Sequence, residues 1–150
     1  MDTVVVFKID DRRMAVPVNR VQRVIWAVEI TALPVQASTM LGIINVEGAI
    51  IPVVNARNLL GVVDRELDLD DHIVIVSIDG ECVAFIVDSV EGVMHYKDED
   101  FSALPDKDGD CAKGVIKQDG ELIVILDPVK LLKQTASFTG SQHSLAGSAR

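Results

Sequence analysis

Short aliphatic runs, broken by acidic or glycine punctuation, alternate along most of the chain. Val4 to Ile9 predicts a strand, Asp10-Asp11 a turn, and Arg12 to Val18 the partner strand. The next apolar positions, Val21, Val24 and Ile25, fit one helical turn by spacing and a strand by residue type. Thr31 to Ser38 reads as a loop around Leu33-Pro34. Ile43-Ile44 and Ile50 to Val54 flank Glu47-Gly48, a strong hairpin signal because the glycine accepts positive φ. Pro52 lacks an N–H and belongs at an edge or a bulge. Asn55 is placed to cap a short helix through Leu59-Leu60 that Gly61 ends. Asp64 to Asp71 reads as an acidic linker. His72 to Ile78 and Cys82 to Val87 form a hairpin around Asp79-Gly80, and Gly114 to Lys117 and Leu122 to Leu126 another around Asp119-Gly120. Lys97 to Asp110 predicts an exposed loop. Asp127-Pro128 opens a short helix that ends near Lys133. The Ser, Gly, Ala and Thr residues from Thr135 onward are expected to be disordered.

The pattern repeats itself. With Ile9 placed on Ile78, Asp10 meets Asp79, Ala15 meets Ala84, Val18 meets Val87, Val21 meets Val90 and Val24 meets Val93. With Gly42 placed on Gly114, Ile44 meets Ile116, Gly48 meets Gly120, Ile51 meets Ile123, and Leu59-Leu60 meets Leu131-Leu132. Both copies read strand, acidic turn, strand, Val-x-x-Val, then a second hairpin and a Leu-Leu helix. The repeat predicts halves near 1–62 and 72–133. Each is too small to be stable alone, so they would share an apolar seam. Such a seam is also a place for a partner's apolar residue to insert.

Composition sharpens this picture. Hydrophobic residues make up 49% of the 150, but aromatics only 4%. The core must therefore be aliphatic, and β-branched Val and Ile favour strands. The formal net charge of −9 disfavours nucleic acid and anionic lipid as partners. No apolar run approaches the length of roughly 20 residues that spans a bilayer. The N-terminus shows no secretory pattern, so a cytoplasmic protein with Cys82 and Cys111 reduced is expected, without direct membrane insertion. His72, His95 and His143 are scattered without metal-ligand spacing. No nucleophile elbow, P-loop or dinucleotide fingerprint is present. Catalytic residues, a metal site and a cofactor are not expected. A binding module fits better than an enzyme.

The run from Gly42 to Arg57, Gly-Ile-Ile-Asn-Val-Glu-Gly-Ala-Ile-Ile-Pro-Val-Val-Asn-Ala-Arg, resembles the signature of CheW-like chemotaxis coupling proteins. Ile73 to Val76 and Ala84-Phe85-Ile86-Val87-Asp88-Ser89-Val90 resemble that family's next hairpin and its Val-Asp-x-Val. The segment from Gly120 to Leu132 resembles its closing strand and helix, so the likeness covers about residues 3–133. It implies an all-β fold of two packed, five-stranded SH3-like barrels with short helical segments and a C-terminal helix. It implies a non-enzymatic adaptor in signal transduction. Its partners would be the cytoplasmic tips of methyl-accepting chemoreceptors and the regulatory domain of a CheA-type histidine kinase. The protein would then be recruited to membrane receptor arrays. The family's receptor-facing positions fall on Val21, Gly42, Gly48, Val90 and Val93. Two further positions depart from the pattern: Arg23 stands where the family has Glu, and Glu47 where it has Arg. The expectation is that these two face each other and were exchanged as a pair, which would alter receptor choice. Two other readings stay open: a divergent adaptor of another chemosensory pathway, and a small-molecule-binding or catalytic barrel that uses the seam as a pocket.

Overall fold

In the computed structural model, which describes residues 2–34, 39–107 and 110–136, four tight turns set the frame. Asp10, Glu47, Asp79 and Asp119 each open one with φ between 51° and 54°. Gly48, Gly80 and Gly120 follow the last three, also at positive φ. Consecutive left-handed residues give a turn whose twist matches that of paired strands. The strands are β1 (Asp2–Ile9), β2 (Arg12–Pro17), β3 (Val21–Trp26), β4 (Met40–Val46), β5 (Ala49–Val54), β6 (His72–Ile78), β7 (Glu81–Val87), β8 (Ser89–Tyr96), β9 (Phe101–Ala103), β10 (Ala112–Gln118) and β11 (Glu121–Leu126). Two short helices, α1 (Ala56–Leu59) and α2 (Pro128–Lys133), follow β5 and β11. The Asn55 side chain accepts from Asn58 N at 3.1 Å, and Asp127 accepts from Val129 N at 2.9 Å, so both helices carry the caps their sequences predict. Among the described residues no helix is long and apolar enough to cross a membrane.

The strands form two sheets, in the orders β8-β1-β2-β11-β10-β9 and β3-β6-β7-β5-β4. The first has six strands rather than five, because β9 lies inside the segment 97–110 that reads as a loop and pairs with β10. The ambiguous Val21–Ile25 segment is a strand, antiparallel to β6 from Val21↔Val76 to Trp26↔His72. Pro52 sits in β5, an interior strand and not an edge, in register with Ile43 of β4 and just before that strand's two-residue parallel contact with β7, so it stays outside the β7 ladder.

The sequence repeat is visible in the registers. Val4↔Pro17 in the first copy corresponds to Ile73↔Ile86 in the second, and Gly42↔Val53 to Gly114↔Ile125. Yet neither sheet is one copy. β3 leaves the first copy to pair with β6, and β8 leaves the second to pair with β1. The crossings occur at Val18–Arg20, a single 3₁₀ turn, and at Asp88. Each sheet is therefore a hybrid of both copies.

Three aliphatic clusters hold this arrangement together. Val4, Val6, Ala15, Ile116, Ile123 and Ile125 fill the interior of the first sheet. Ile44, Ile51, Val53, Ile73, Ile75 and Ala84 fill the second. The third cluster is the seam, where Phe7, Ile9, Met14 and Val16 of one sheet meet Val54, Val74, Val76 and Phe85 of the other. Phe7 and Phe85 touch there with ring centroids 5.2 Å apart. β1, β2, β6 and β7 supply one face to a sheet interior and the other to the seam. Burial on both faces is why they read as continuous aliphatic runs instead of alternating ones. The packed chain continues past α2 to Thr135, which is fully buried with its hydroxyl donating to Leu132 O at 2.7 Å. The expected disordered tail beyond residue 136 lies outside the described residues.

Candidate partner-binding surface

The seven sequence-derived positions fall into distinct places. Val21 and Val90 are related by the internal repeat, and both are partly buried against the seam cluster. Val21 opens β3 and Val90 is the second residue of β8, the strands that cross between sheets. Val93, on β8, is 62% exposed, and its counterpart Val24 on β3 is exposed too. Exposed valines on an edge strand suit apolar contact with a partner.

Arg23 and Glu47 meet. Arg23 Nη1 lies 3.2 Å from Glu47 Oε2, with 43% and 78% of the side chains exposed. The ion pair ties β3 to the β4–β5 turn. That turn is held by Asn45, whose Oδ1 accepts from Gly48 N at 2.9 Å. Gly48 sits at φ +88° with open space where a Cβ would stand. Gly42, at the other end of β4, is different: its Cβ would come within 2.2 Å of Thr31 O, and its φ is +146°. Thr31 bridges to Ile43 with backbone bonds of 2.9 Å in both directions, closing the second barrel. Gly114, the counterpart of Gly42, lets β9 approach in the same way, since its Cβ would meet the Phe101 ring at 2.3 Å. Barrel closure thus demands a glycine at position 42 whatever else that residue touches.

An ionic cluster joins the sheets, and no role for it was read from the sequence. Asp88 sits at the crossing from β7 to β8. Its carboxylate accepts from Asp10 N at 2.7 Å, from Arg57 at 2.9 Å and from Arg65 at 2.6 Å. Arg57, on α1, also donates to Asp10 at 2.8 Å and to Val63 O at 2.9 Å. Arg65 grips Asp71 through two nitrogens, at 2.8 and 2.6 Å. Burial pushes the Asp88 and Asp71 carboxyls up, but their hydrogen bonds and arginine partners outweigh it and hold both below the usual carboxylate range. Arg57 and Asp88 belong to the signature runs quoted above, which was the only sequence signal for them. Both arginines are committed to carboxylates, so the cluster offers structure rather than free chemistry. Among the described residues no group of three His, Cys, Asp or Glu is arranged to hold a metal ion.

Two β-barrels built from a duplicated sequence and packed on a shared aliphatic seam define a β-scaffold class of protein. Comparison with known proteins agrees. The CheW-like domain matches residues 3–136, and the chain belongs to that family. It is 37% identical over 130 residues to the chemotaxis protein CheW of Thermotoga maritima, covering 85% of each. It is 24% identical over 140 residues to the chemotaxis protein CheW of Bacillus subtilis, covering 91% of this chain and 90% of that one. The crystal structure of the scaffolding protein TtCheW from Thermoanaerobacter tengcongensis superposes with a TM-score of 0.74 at 29% identity, covering 84% of each chain. CheW proteins are chemotaxis scaffolds or adaptors and not enzymes.

Proposed function

We propose that this chain couples the cytoplasmic tips of methyl-accepting chemoreceptors to the regulatory domain of a CheA-type histidine kinase, at receptor arrays on the cytoplasmic side of the membrane. The observation that carries this reading is the seam, flanked by the symmetry-related Val21 and Val90 and bordered by exposed Val93. A helical receptor tip presents apolar side chains at regular spacing and needs a shallow aliphatic surface of this kind. Arg23 and Glu47 form the charged margin of that surface in this reading, Gly48 shapes the turn beside them, and Gly42 supports it through barrel closure.

A second reading, a divergent adaptor with altered receptor choice, is favoured by the Arg23–Glu47 pair. The pair is intact with its charges reversed relative to the family pattern. A receptor matched to the usual arrangement would meet like charges here, which selects against it. Binding assays with purified receptor tips and kinase regulatory domain separate the two. A chain with Arg23→Glu and Glu47→Arg that gains affinity for standard receptor tips supports altered choice; unchanged affinity for every tip contradicts it. Failure of the unaltered chain to bind any receptor tip would refute the coupling function itself.

A further inference from the structure

The internal repeat maps one end of the second barrel onto the matching end of the first, and the two ends differ. At the second barrel the notch beside β6 and β7 is filled from within the chain. Residues 64–67 line what remains of it, a cavity of about 190 Å³, and Arg65 bridges Asp71 and Asp88. At the first barrel the same repeat places Asp2 where Asp71 stands, Pro17 for Ile86, Asn19 for Asp88 and Lys113 for Leu41. These residues, with Val18 and Arg20, border a notch of about 460 Å³. Among the described residues, no side chain bridges Asp2 and Asn19 as Arg65 bridges their counterparts.

The charge logic is inverted between the notches. The filled one presents two carboxylates, Asp71 and Asp88, and takes an arginine. In the open one, an amide replaces the Asp88 carboxylate, Arg20 stands for Ser89, and Lys113 for Leu41. Two cations, Arg20 and Lys113, now line the notch with one carboxylate, Asp2, which accepts a hydrogen bond from the Tyr96 hydroxyl. Among the described residues neither Arg20 nor Lys113 forms an ion pair. On a chain with a net charge of −9, two such cations beside exposed Val18 are a local exception. We propose that this notch docks an extended segment of a partner protein, with an acidic side chain at the place Arg65 holds in the other notch. The second notch shows that the fold accepts a segment without regular secondary structure there, and complementarity of charge sets the occupant's sign. The proposal does not depend on the receptor-facing role of Val21 or Val93.

The test uses the full-length, ¹⁵N-labelled chain and two capped hexapeptides patterned on residues 62–67, Val-Val-Ser-Glu-Ser-Leu and Val-Val-Ser-Arg-Ser-Leu. The Glu peptide is expected to shift the amides of Thr3, Asn19, Arg20 and Lys113 saturably, and to bind about fivefold or more tighter than the Arg peptide. The double variant Arg20→Ser, Lys113→Leu, which copies the filled notch, should lose that preference while its remaining amide spectrum shows an intact fold. Equal binding of the two peptides, or no saturable shift, overturns the proposal. Shifts that follow protein concentration alone would assign the notch to a second copy. Shifts at residues 137–150 on peptide addition would assign it to the chain's own C-terminal residues. Either result overturns a partner segment as its occupant.

Discussion

Removal of the Asp88 carboxylate tests whether the ionic cluster holds the two sheets together. Asp88 is 28% exposed in its side chain and accepts three bonds, from Asp10 N, Arg57 and Arg65. A hydrogen bond to a charged group contributes about 1.5–3 kcal/mol. The three do not add, because Arg57 keeps Asp10 and Arg65 keeps Asp71. Arg65 is also 35% exposed, so water screens its share. The main loss comes from Arg57, 12% exposed and left with half its counter-charge, and from the orphaned Asp10 N–H. Asp88→Ala is therefore expected to cost about 2–3 kcal/mol, or about 4–12 °C in Tm for a domain of this size. Asp88→Asn, which keeps an acceptor for Asp10 N, should cost about half as much. The assay is urea unfolding at neutral pH, followed by circular dichroism, with the slope m unchanged between variants. Glu91→Ala is the control. It removes an exposed partner of Arg13 that also pairs with Glu121, and should cost about 0–1 kcal/mol. The pH dependence has a definite sign. Asp88 and Asp71 titrate below their unfolded values, so their stabilisation is present above about pH 4 and is lost as pH falls through the depressed folded values. Asp88→Asn should flatten that acid limb. A loss for Asp88→Ala no larger than for Glu91→Ala, or an unchanged acid limb, would refute the clamp.

The remaining predictions address closure, pairing and the thiols. Gly42→Ala should destabilise by about 2 kcal/mol or more, because its Cβ meets Thr31 O and its φ is unfavourable for an L residue, whereas Gly48→Ala should cost only about 1 kcal/mol of backbone strain; equal urea midpoints for the two variants would remove the closure argument. A double-mutant cycle on Arg23 and Glu47 should give a coupling of about 0.2–1 kcal/mol that shrinks with added salt, and additive effects would show that the contact contributes nothing. Cys111 is buried and its thiol is pushed up to about 11 by burial, so a thiol reagent at neutral pH should label Cys82 first and Cys111 only as the chain opens; equal labelling rates in the native protein would contradict that burial.

Much of the fold was legible because its hairpins carry their own instructions. Asp or Glu followed by Gly marks three of the four turns, and both helices begin at the Asn or Asp that caps them. What could not be read was which strands share a sheet. β3 and β8 carry nearly interchangeable Val-x-x-Val patterns, so local sequence allows each to pair within its own copy. The exchange is imposed instead by the turn at Val18–Arg20 and the crossing at Asp88. β9 was hidden because three residues, Phe-Ser-Ala, in a charged segment carry no periodic signal. The ionic cluster was hidden for a related reason. Its members stand at Asp10, Arg57, Arg65, Asp71 and Asp88, and only the folded chain brings them within bonding distance. Among the seven surface candidates, the charge departures at Arg23 and Glu47 pointed to a contact that the structure contains. Gly42, by contrast, turned out to have a backbone duty sufficient to explain it.

The adaptor reading requires two partners at once, and the most direct measurement is assembly of a ternary complex. Sedimentation of the purified chain with a chemoreceptor tip and a kinase regulatory domain should yield one species containing all three. Val93→Asp should weaken the receptor contact by about tenfold or more while leaving the kinase contact intact, because a buried unpaired charge costs more than the roughly 1.4 kcal/mol that a tenfold change represents. Competition between the two partners for this chain, or the absence of any complex with either, would contradict the account.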